Sequence, residues 1–278
     1  MIGVCTDSNS QIPPELAARY GVEVVPLTVT LDGEAFLEGV DLDADQFWER
    51  IETGVTEVAT AAPSPGQFGL AYQALAVRGA TSVCSIHVSR EVSSTYDAAR
   101  LAAGATTLEV RVVDSGAASF GVSCAVWEAA EAIRAGADLQ HAALIAEQVG
   151  GRTGNVFVLR TLEVARRGGR LAPGVESFPG GTLPIWSIIG GKMVEVGRAN
   201  DLESACGAMA DYILDSPGST KRVAVGTADP ATEALASALE LRLRPARGVA
   251  DLIRYRIGPS VGAHTGSGTV GAYWYPLG

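Results

Sequence analysis

The sequence predicts an α/β fold in two domains: an N-terminal parallel sheet with helices on both faces, and a C-terminal mixed sheet with helices on one side. In the first half, short apolar runs alternate with helical patterns, which is typical of a parallel sheet covered by helices. The length of 278 residues suggests two domains or one large one. A glycine-rich stretch, 150–154, favours a boundary there. We therefore predict domains over residues 1–152 and 153–278.

The first half contains four strand-like runs, each followed by a loop and then, sooner or later, a helical pattern. The predicted strands are Ile2–Cys5, Val22–Val29, Ser82–Ile86 and Val110–Val113. The predicted helices are Pro13–Tyr20, Asp43–Thr53, Gly66–Arg78, Ser93–Ala103, Phe120–Arg134 and Asp138–Val149. Parallel sheets bind ligands beyond the carboxyl ends of their strands, so the loops that begin at Thr6, Ser89 and Asp114 are candidate site loops.

The second half reads as a mixed sheet. The predicted strands are Asn155–Leu159, Leu183–Ile189, Lys192–Gly197, Arg222–Gly226, Leu252–Ile257 and Val270–Tyr273. The predicted helices are Leu202–Leu214 and Pro230–Leu243. Two glycines, Gly190 and Gly191, separate two β-type runs, which indicates a tight hairpin turn.

Composition and charge limit the classes of function. Hydrophobic residues make up 47% and charged residues 19% of the chain, as in a compact globular protein. A formal net charge of −10 repels phosphate backbones and anionic membranes, so nucleic acid is not an expected partner. The start of the sequence shows no signal-peptide pattern and no apolar run approaches about 18 residues, so we expect a cytoplasmic protein without stable membrane insertion. Four widely spaced cysteines are expected to be reduced, mostly buried residues: Cys5, Cys84, Cys124 and Cys206.

Two motifs match known sites only formally, and the histidines match none. Gly266–Gly271 fits G-x-G-x-x-G, but the seven residues that follow it leave no room for the helix of a dinucleotide site. Gly121–Ala125 nearly spells a nucleophile elbow, yet it falls inside a helical pattern. The histidines His87, His141 and His264 lack metal-ligand spacing, so no metal and no cofactor are predicted.

Three hydroxyl-rich loops remain as candidate sites: Thr60–Pro65, Ser89–Tyr96 and Asp114–Gly116. Ser, Thr and Asp also cap helices and form turns, so a purely structural role accounts for each loop taken alone.

Taken together, seven motifs resemble in order and spacing those of the DegV family of bacterial fatty-acid-binding proteins, the lipid-carrying subunits of fatty-acid kinase. The motifs are Thr6-Asp7-Ser8, Val24-Val25-Pro26-Leu27, 60–65, 92–96, Val113-Asp114-Ser115, Arg167-Gly168-Gly169-Arg170 and 262–266. The chain departs from the family pattern in Ala61-Ala62 in place of Ser-Gln, Ser94 in place of Gly, and Leu183 in place of a frequent Lys.

The resemblance implies a carrier rather than an enzyme. Its ligand would be a long-chain fatty acid in a buried tunnel, and its partner an ATP-dependent fatty-acid kinase subunit that phosphorylates the carboxylate to an acyl phosphate. The implied residues at the carboxylate are Thr60, Ser93, Ser94 and His264. Arg170 and Arg198 are then candidates for the partner surface or the transferring phosphate, since hydroxyls hold a carboxylate without a bidentate arginine.

Two alternatives stay open. One is a hydrolase-like α/β enzyme that acts on a small polar substrate, with Ser93 as nucleophile and His264 as base. The other is a lipid store without a kinase partner.

Overall fold

The computed structural model describes residues 1–159 and 182–277. The strands are β1 (Ile2–Asp7), β2 (Glu23–Val25), β3 (Thr28–Leu31), β4 (Glu34–Leu37), β5 (Val58–Ala61), β6 (Ser82–His87), β7 (Glu109–Asp114), β8 (Gly154–Val158), β9 (Leu183–Ile189), β10 (Lys192–Ala199), β11 (Lys221–Thr227), β12 (Val249–Arg256) and β13 (Val270–Pro276). The α-helices are α1 (Pro14–Tyr20), α2 (Ala44–Glu52), α3 (Pro65–Val77), α4 (Thr95–Ala103), α5 (Phe120–Arg134), α6 (Leu139–Arg152), α7 (Leu202–Leu214), α8 (Glu233–Leu243) and α9 (Pro259–Thr265).

The chain forms two compact units. The first contains Met1–Leu42 and Glu57–Thr153, and the second contains Asp43–Thr56 and the chain from Gly154 onward. The boundary after Thr153 lies one residue from the predicted division at 152/153, and the segment Asp43–Thr56 belongs to the second unit. Its helix α2 is held there by Trp48, whose indole Nε1 donates a hydrogen bond of 2.8 Å to the Ile257 carbonyl oxygen.

The main sheet of the first unit is parallel, with strand order β2-β1-β6-β7. Neighbouring residues of one strand point to opposite faces, so Val4 joins the core formed with α5 and α6, while Cys5 joins the core formed with α3 and α4. Each face therefore has its own apolar layer. The predicted parallel sheet with helices on both faces is confirmed.

A second, three-stranded antiparallel sheet in this unit was not predicted. It has the order β4-β3-β5. The predicted strand Val22–Val29 is in fact two strands, β2 and β3, on either side of Pro26 and Leu27. Pro26 has no N–H group for a ladder, which explains the break. β4 and β5 are largely exposed or half-buried, and so they lack the apolar runs that identify buried strands.

The second unit contains a six-stranded mixed sheet, with order β10-β9-β8-β13-β11-β12. Only the pair β11 and β12 is parallel among its described ladders. Helices α7 and α8 pack against each other and share one apolar core with the sheet. The hairpin prediction is confirmed, since Gly190 and Gly191 join β9 to β10 with φ of 57° and 74°, a left-handed conformation that glycine adopts freely.

The formal motifs are explained by their positions. Gly266–Gly271 follows α9 and runs into strand β13, so in the described chain it does not begin a helix as a dinucleotide loop does. Gly121–Ala125 lies inside α5 and is buried, so it serves helix packing, as predicted.

Candidate functional site

Two of the hydroxyl-rich loops lie at the carboxyl edge of the parallel sheet. Helix α3 ends at Val77, shortly before β6 begins at the amino edge, so its first turn and the preceding loop 60–65 lie at the carboxyl edge. Helix α4 begins at Thr95, just after β6 ends at that same edge. Since α3 and α4 pack against each other, the two loops start neighbouring helices.

The loop before α4 presents Ser93 and Ser94. The Ser93 Oγ lies 2.8 Å from the Thr95 Oγ1 and accepts a 3.3 Å hydrogen bond from the Thr95 amide. Ser94 is exposed, and within the described residues its side chain makes no capping bond to α4. Its φ of −79° is ordinary for any L residue, so serine replaces the family's glycine here without backbone strain.

The hydroxyl groups of the loop before α3 lie in two different settings. Ser64 forms a capping box with Gln67, and Pro65 occupies the first turn, so for Ser64 the structural interpretation holds. Thr60 is not a cap. It lies on β5 opposite Val29 of β3 and is half-buried.

The third loop, after β7, uses its polar groups internally. The Asp114 Oδ1 accepts hydrogen bonds from the amides of Gly116 at 3.0 Å and Arg90 at 3.4 Å. The Ser115 hydroxyl donates to the His87 carbonyl oxygen at 2.7 Å. This loop therefore ties strand ends together, and we do not include it in the candidate site.

Beneath these loops lies a buried chain of four side chains, which we call the Asp7 chain. The Tyr72 hydroxyl is 3.0 Å from the Ser85 Oγ, which is 2.6 Å from the His87 Nε2. The His87 Nδ1 is 2.9 Å from the Asp7 Oδ2. All four side chains have 0% exposure. Burial is the main reason why the pKa of the Tyr72 phenol is raised, so this group stays protonated.

Sequence reasoning missed this chain because it considered the histidines only for metal-ligand spacing, which His87 lacks. The partners are 80 residues apart, and only the parallel register of β1 and β6, with Thr6 opposite Ile86, brings them together. The one available signal was that Asp7 and His87 each lie within two residues of the end of a predicted strand, Ile2–Cys5 and Ser82–Ile86. The order Asp, His, Ser is that of a hydrolase triad, but the buried Ser85 hydroxyl already contacts Tyr72 and presents no nucleophile to a substrate.

The remaining predicted residues fall elsewhere. His264 is half-buried in the last turn of α9, in the second unit. Arg198 makes two hydrogen bonds to the Glu195 carboxylate, at 2.9 and 2.7 Å, and one of 3.0 Å to the Thr182 hydroxyl, so its charge is already compensated. Arg170 lies outside the described residues.

A cavity of about 320 Å³ in the second unit does not suit an acyl chain. Charged side chains dominate its lining, which consists of Thr227, Glu233, Glu240, Arg254, Tyr255 and Arg256. Within residues 1–159 and 182–277, no three His, Cys, Asp or Glu side chains are grouped to hold a metal ion. In the same part of the chain, no helix is long and apolar enough to cross a bilayer. The four cysteines are free and buried, as predicted.

These observations define a two-unit α/β protein whose first unit presents hydroxyl groups at the carboxyl edge of a parallel sheet. The family model of DegV, a family of uncharacterised proteins, matches residues 1–277, and the chain therefore belongs to the DegV family. A DegV domain-containing protein of Streptomyces coelicolor is 32% identical over 274 residues, which cover 97% of this chain and 96% of the relative. Another, from Deinococcus radiodurans, is 33% identical over 285 residues, 99% of each chain.

Solved structures agree with the fold. A structure that reports fatty acid binding of a DegV family protein from Thermus thermophilus has a TM-score of 0.85 and 30% identity, and 99% of each chain is covered. DegV of Bacillus subtilis, a fatty acid binding protein, has the same TM-score of 0.85 at 24% identity, again over 99% of each chain. The second likeness shows the fold alone. The overall α/β architecture is thus that of known DegV structures.

Proposed function

We propose that this protein binds one long-chain fatty acid and holds its carboxylate at the carboxyl edge of the parallel sheet, through Thr60, Ser93 and Ser94. The family resemblance adds His264 of the second unit to the proposed set. The observation that carries the proposal is that two hydroxyl-rich loops start neighbouring helices at one sheet edge. The fatty-acid-binding relative from Thermus thermophilus, with 30% identity over 99% of both chains, supports the same ligand.

The chemistry of the loop before α4 suits a carboxylate that must stay reactive. Serine hydroxyls and the free N–H groups of a helix start donate hydrogen bonds to an anion. An arginine fork would occupy both carboxylate oxygens, whereas single donors leave lone pairs free to attack a phosphoryl group. The nearest arginine of the loop, Arg90, is stacked over the Tyr96 ring at 5.7 Å, where a π face attracts its charge.

Burial of the acyl chain supplies ample free energy. About 15 carbons at roughly 0.8 kcal/mol each give on the order of 12 kcal/mol before the costs of association and ordering are subtracted. The carboxylate contacts therefore have to place the head group rather than provide most of the affinity. We expect submicromolar binding.

The second step of the proposal is presentation of the bound carboxylate to an ATP-dependent fatty-acid kinase subunit, which forms an acyl phosphate. This step rests on the family resemblance and on the hydroxyl character of the loops. A lipid store without a kinase would have no use for a carboxylate whose lone pairs are left free. The protein is proposed to act as substrate carrier and not as the enzyme.

Lipid analysis of the purified protein tests the first step. We expect extraction to release about one long-chain fatty acid per chain, detected by mass spectrometry, and the delipidated protein to bind palmitic acid in a titration. A protein that carries no lipid and binds no palmitic acid would end the proposal. The second step is tested by adding the cognate kinase and ATP and trapping acyl phosphate with hydroxylamine; no hydroxamate, despite bound lipid, would leave a lipid store.

A further inference from the structure

We propose that the Asp7–His87 pair is a positioning device that holds loop 88–94 in the conformation in which Ser93 and Ser94 receive the carboxylate. This inference rests on the proposed function and adds residues that do not themselves touch the ligand. It is carried by hydrogen-bond geometry around one buried carboxylate, and by the route from that carboxylate to the serines.

Asp7 holds the start of the loop directly. Its Oδ2 accepts the His87 side chain at 2.9 Å and also the Val88 amide at 3.1 Å, while its Oδ1 accepts the Asn9 amide at 3.1 Å. One carboxylate therefore fixes the first residue after β6 and the turn after β1. The imidazole supplies one of the three hydrogen bonds that hold this buried carboxylate in place.

From Val88 the fixed geometry continues to the candidate ligand residues. The Ser89 amide donates to the Ala117 carbonyl oxygen at 2.8 Å. The amides of Val92 and Ser93 both donate to the Ser89 carbonyl oxygen at 3.1 Å. A displacement at Val88 is thus passed through the Ser89 turn to Ser93.

His87 also contacts the helix that follows the other hydroxyl loop. The Phe68 ring of α3 packs edge-on against the imidazole, with centroids 4.9 Å apart. Through Ser85 the imidazole reaches the hydroxyl of Tyr72, on the same helix. One side chain therefore links the helix after Thr60 with the loop that contains Ser93.

Every polar group of the Asp7 chain has a hydrogen-bond partner. The Ser85 hydroxyl lies between Tyr72 and the His87 Nε2, the His87 Nδ1 contacts the Asp7 carboxylate, and the Tyr72 hydroxyl also donates to the Ala99 carbonyl oxygen at 3.4 Å. Buried polar pairs seldom add net stability over apolar side chains of similar volume, so stability alone does not account for this arrangement. A fixed orientation of the loop is what the polar arrangement provides and apolar packing would not.

Two replacements of His87 separate positioning from general stability. His87→Asn can place its amide nitrogen near the Nδ1 position and still donate to Asp7. His87→Gln reaches toward Ser85 and leaves Asp7 without that donor. We expect palmitic acid affinity within about threefold of the original for His87→Asn, and a loss of about tenfold or more for His87→Gln, the loss expected for one charged hydrogen bond.

Ser123→Ala is the matched control, because it removes another fully buried hydrogen bond of this unit, from the Ser123 hydroxyl to the Ser10 carbonyl oxygen at 2.7 Å. Its melting temperature should fall while palmitic acid affinity stays unchanged. Hydrogen–deuterium exchange gives a second readout. The amides of loop 88–94 should exchange faster in His87→Gln, with those of α5 unchanged.

If His87→Gln does not fold, Asp7→Asn takes its place. An amide has only one acceptor oxygen, so it cannot accept hydrogen bonds from Asn9 on one side and from both Val88 and His87 on the other. Palmitic acid affinity should therefore fall about threefold or more. Wild-type affinity in His87→Gln or in Asp7→Asn would overturn the positioning role. Equal losses of affinity in His87→Gln and His87→Asn that follow their melting temperatures would overturn it as well. If the unaltered protein binds no palmitic acid, the proposed function fails, whereas loop exchange still reports whether Asp7 and His87 order the loop.

Discussion

The serine side chains at the carboxyl edge differ in the hydrogen bonds that they make. Ser64 is committed to the first turn of α3 by its capping box. The Ser93 hydroxyl contacts a neighbouring hydroxyl, which can rotate its proton to make room for an anion. Ser94 is exposed at the start of α4. Capping therefore explains Ser64, whereas the proposed function assigns Ser93 and Ser94 to the ligand.

The double variant Thr60→Val with Ser93→Ala tests this division. Removing two hydrogen bonds to an ionised group, each worth roughly 1.5–3 kcal/mol, should weaken palmitic acid binding by at least tenfold with the fold intact. Titration and thermal unfolding of the same sample provide the measurement. Unchanged affinity together with a stability loss of about 1 kcal/mol per site would show that both residues have only a structural role.

The buried thiols make stability sensitive to alkaline pH. Burial raises the pKa of the Cys84 thiol to about 12 from the usual 9.0, and the nearby Arg111 offsets this only in part. The unfolded chain loses this proton first, so the stabilisation is complete below about pH 9 and is lost as the pH rises from there toward 12.

We expect the free energy of unfolding, measured with denaturant under reducing conditions, to decrease by about 1.4 kcal/mol per pH unit for this thiol above pH 9. Burial also raises the pKa values of Cys5 and Cys124, which adds to the slope. Cys84→Ser should be less stable at pH 8 and show a shallower alkaline slope. An identical slope in the variant would contradict the assignment.

Elements with strong local signals were predicted well. Helix α5 was predicted to the residue, and α7 likewise, since apolar periodicity and flanking glycines or acids mark their ends. Strands β4 and β5 were missed because their side chains are mostly exposed or half-buried. Helix α9 was missed because its seven residues are too short for helical periodicity to show.

The candidate site was predictable only where local motifs carry it. The loops with Thr60, Ser93 and Ser94 became candidates through their hydroxyl-rich sequence and the family resemblance. The Asp7–His87 contact depends on strand pairing across 80 residues, which no local pattern encodes. The ion pair of Arg198 with Glu195 could have been noticed from their spacing, yet only the bulged pairing of β10 with β9 fixes their geometry.

The contact of α9 with α2 makes Gly262 a sensitive position. A Cβ added there would lie 2.7 Å from atoms of both the Phe47 and the Trp48 rings. Gly262→Ala should therefore cost about 1–3 kcal/mol of stability, as overpacked positions do. It should also displace His264, which lies two residues further along the helix. Thermal unfolding and palmitic acid titration would show both effects.

Gly69→Ala is the matched control for that variant. It is also a helical glycine, and its added Cβ would meet nothing within 4 Å. Alanine favours a helix over glycine by up to about 1 kcal/mol, so this variant should be as stable as the original or more so. A Gly262→Ala protein as stable as Gly69→Ala would show that α2 and α9 are not closely packed.

The whole chain carries a net charge of −10, so an acidic partner would be attracted only to a local basic patch on it. Among the two arginines proposed for the partner or phosphoryl surface, Arg198 is neutralised by Glu195. Arg170 belongs to a sequence cluster with Arg166 and Arg167, three arginines within five residues. If the proposed hand-off takes place, we therefore expect a larger effect from Arg170 than from Arg198.

Arg170→Ala should separate lipid capture from hand-off. If Arg170 contacts the kinase or the transferring phosphoryl group, fatty-acid affinity should stay within about twofold while acyl-phosphate formation falls about tenfold or more, the effect of a lost charged contact of roughly 2 kcal/mol. The assay uses the cognate kinase, ATP and hydroxylamine trapping, with Arg198→Ala as the paired comparison. Unchanged phosphorylation would return Arg170 to ordinary surface charge, and lost lipid binding would place it at the carboxylate instead.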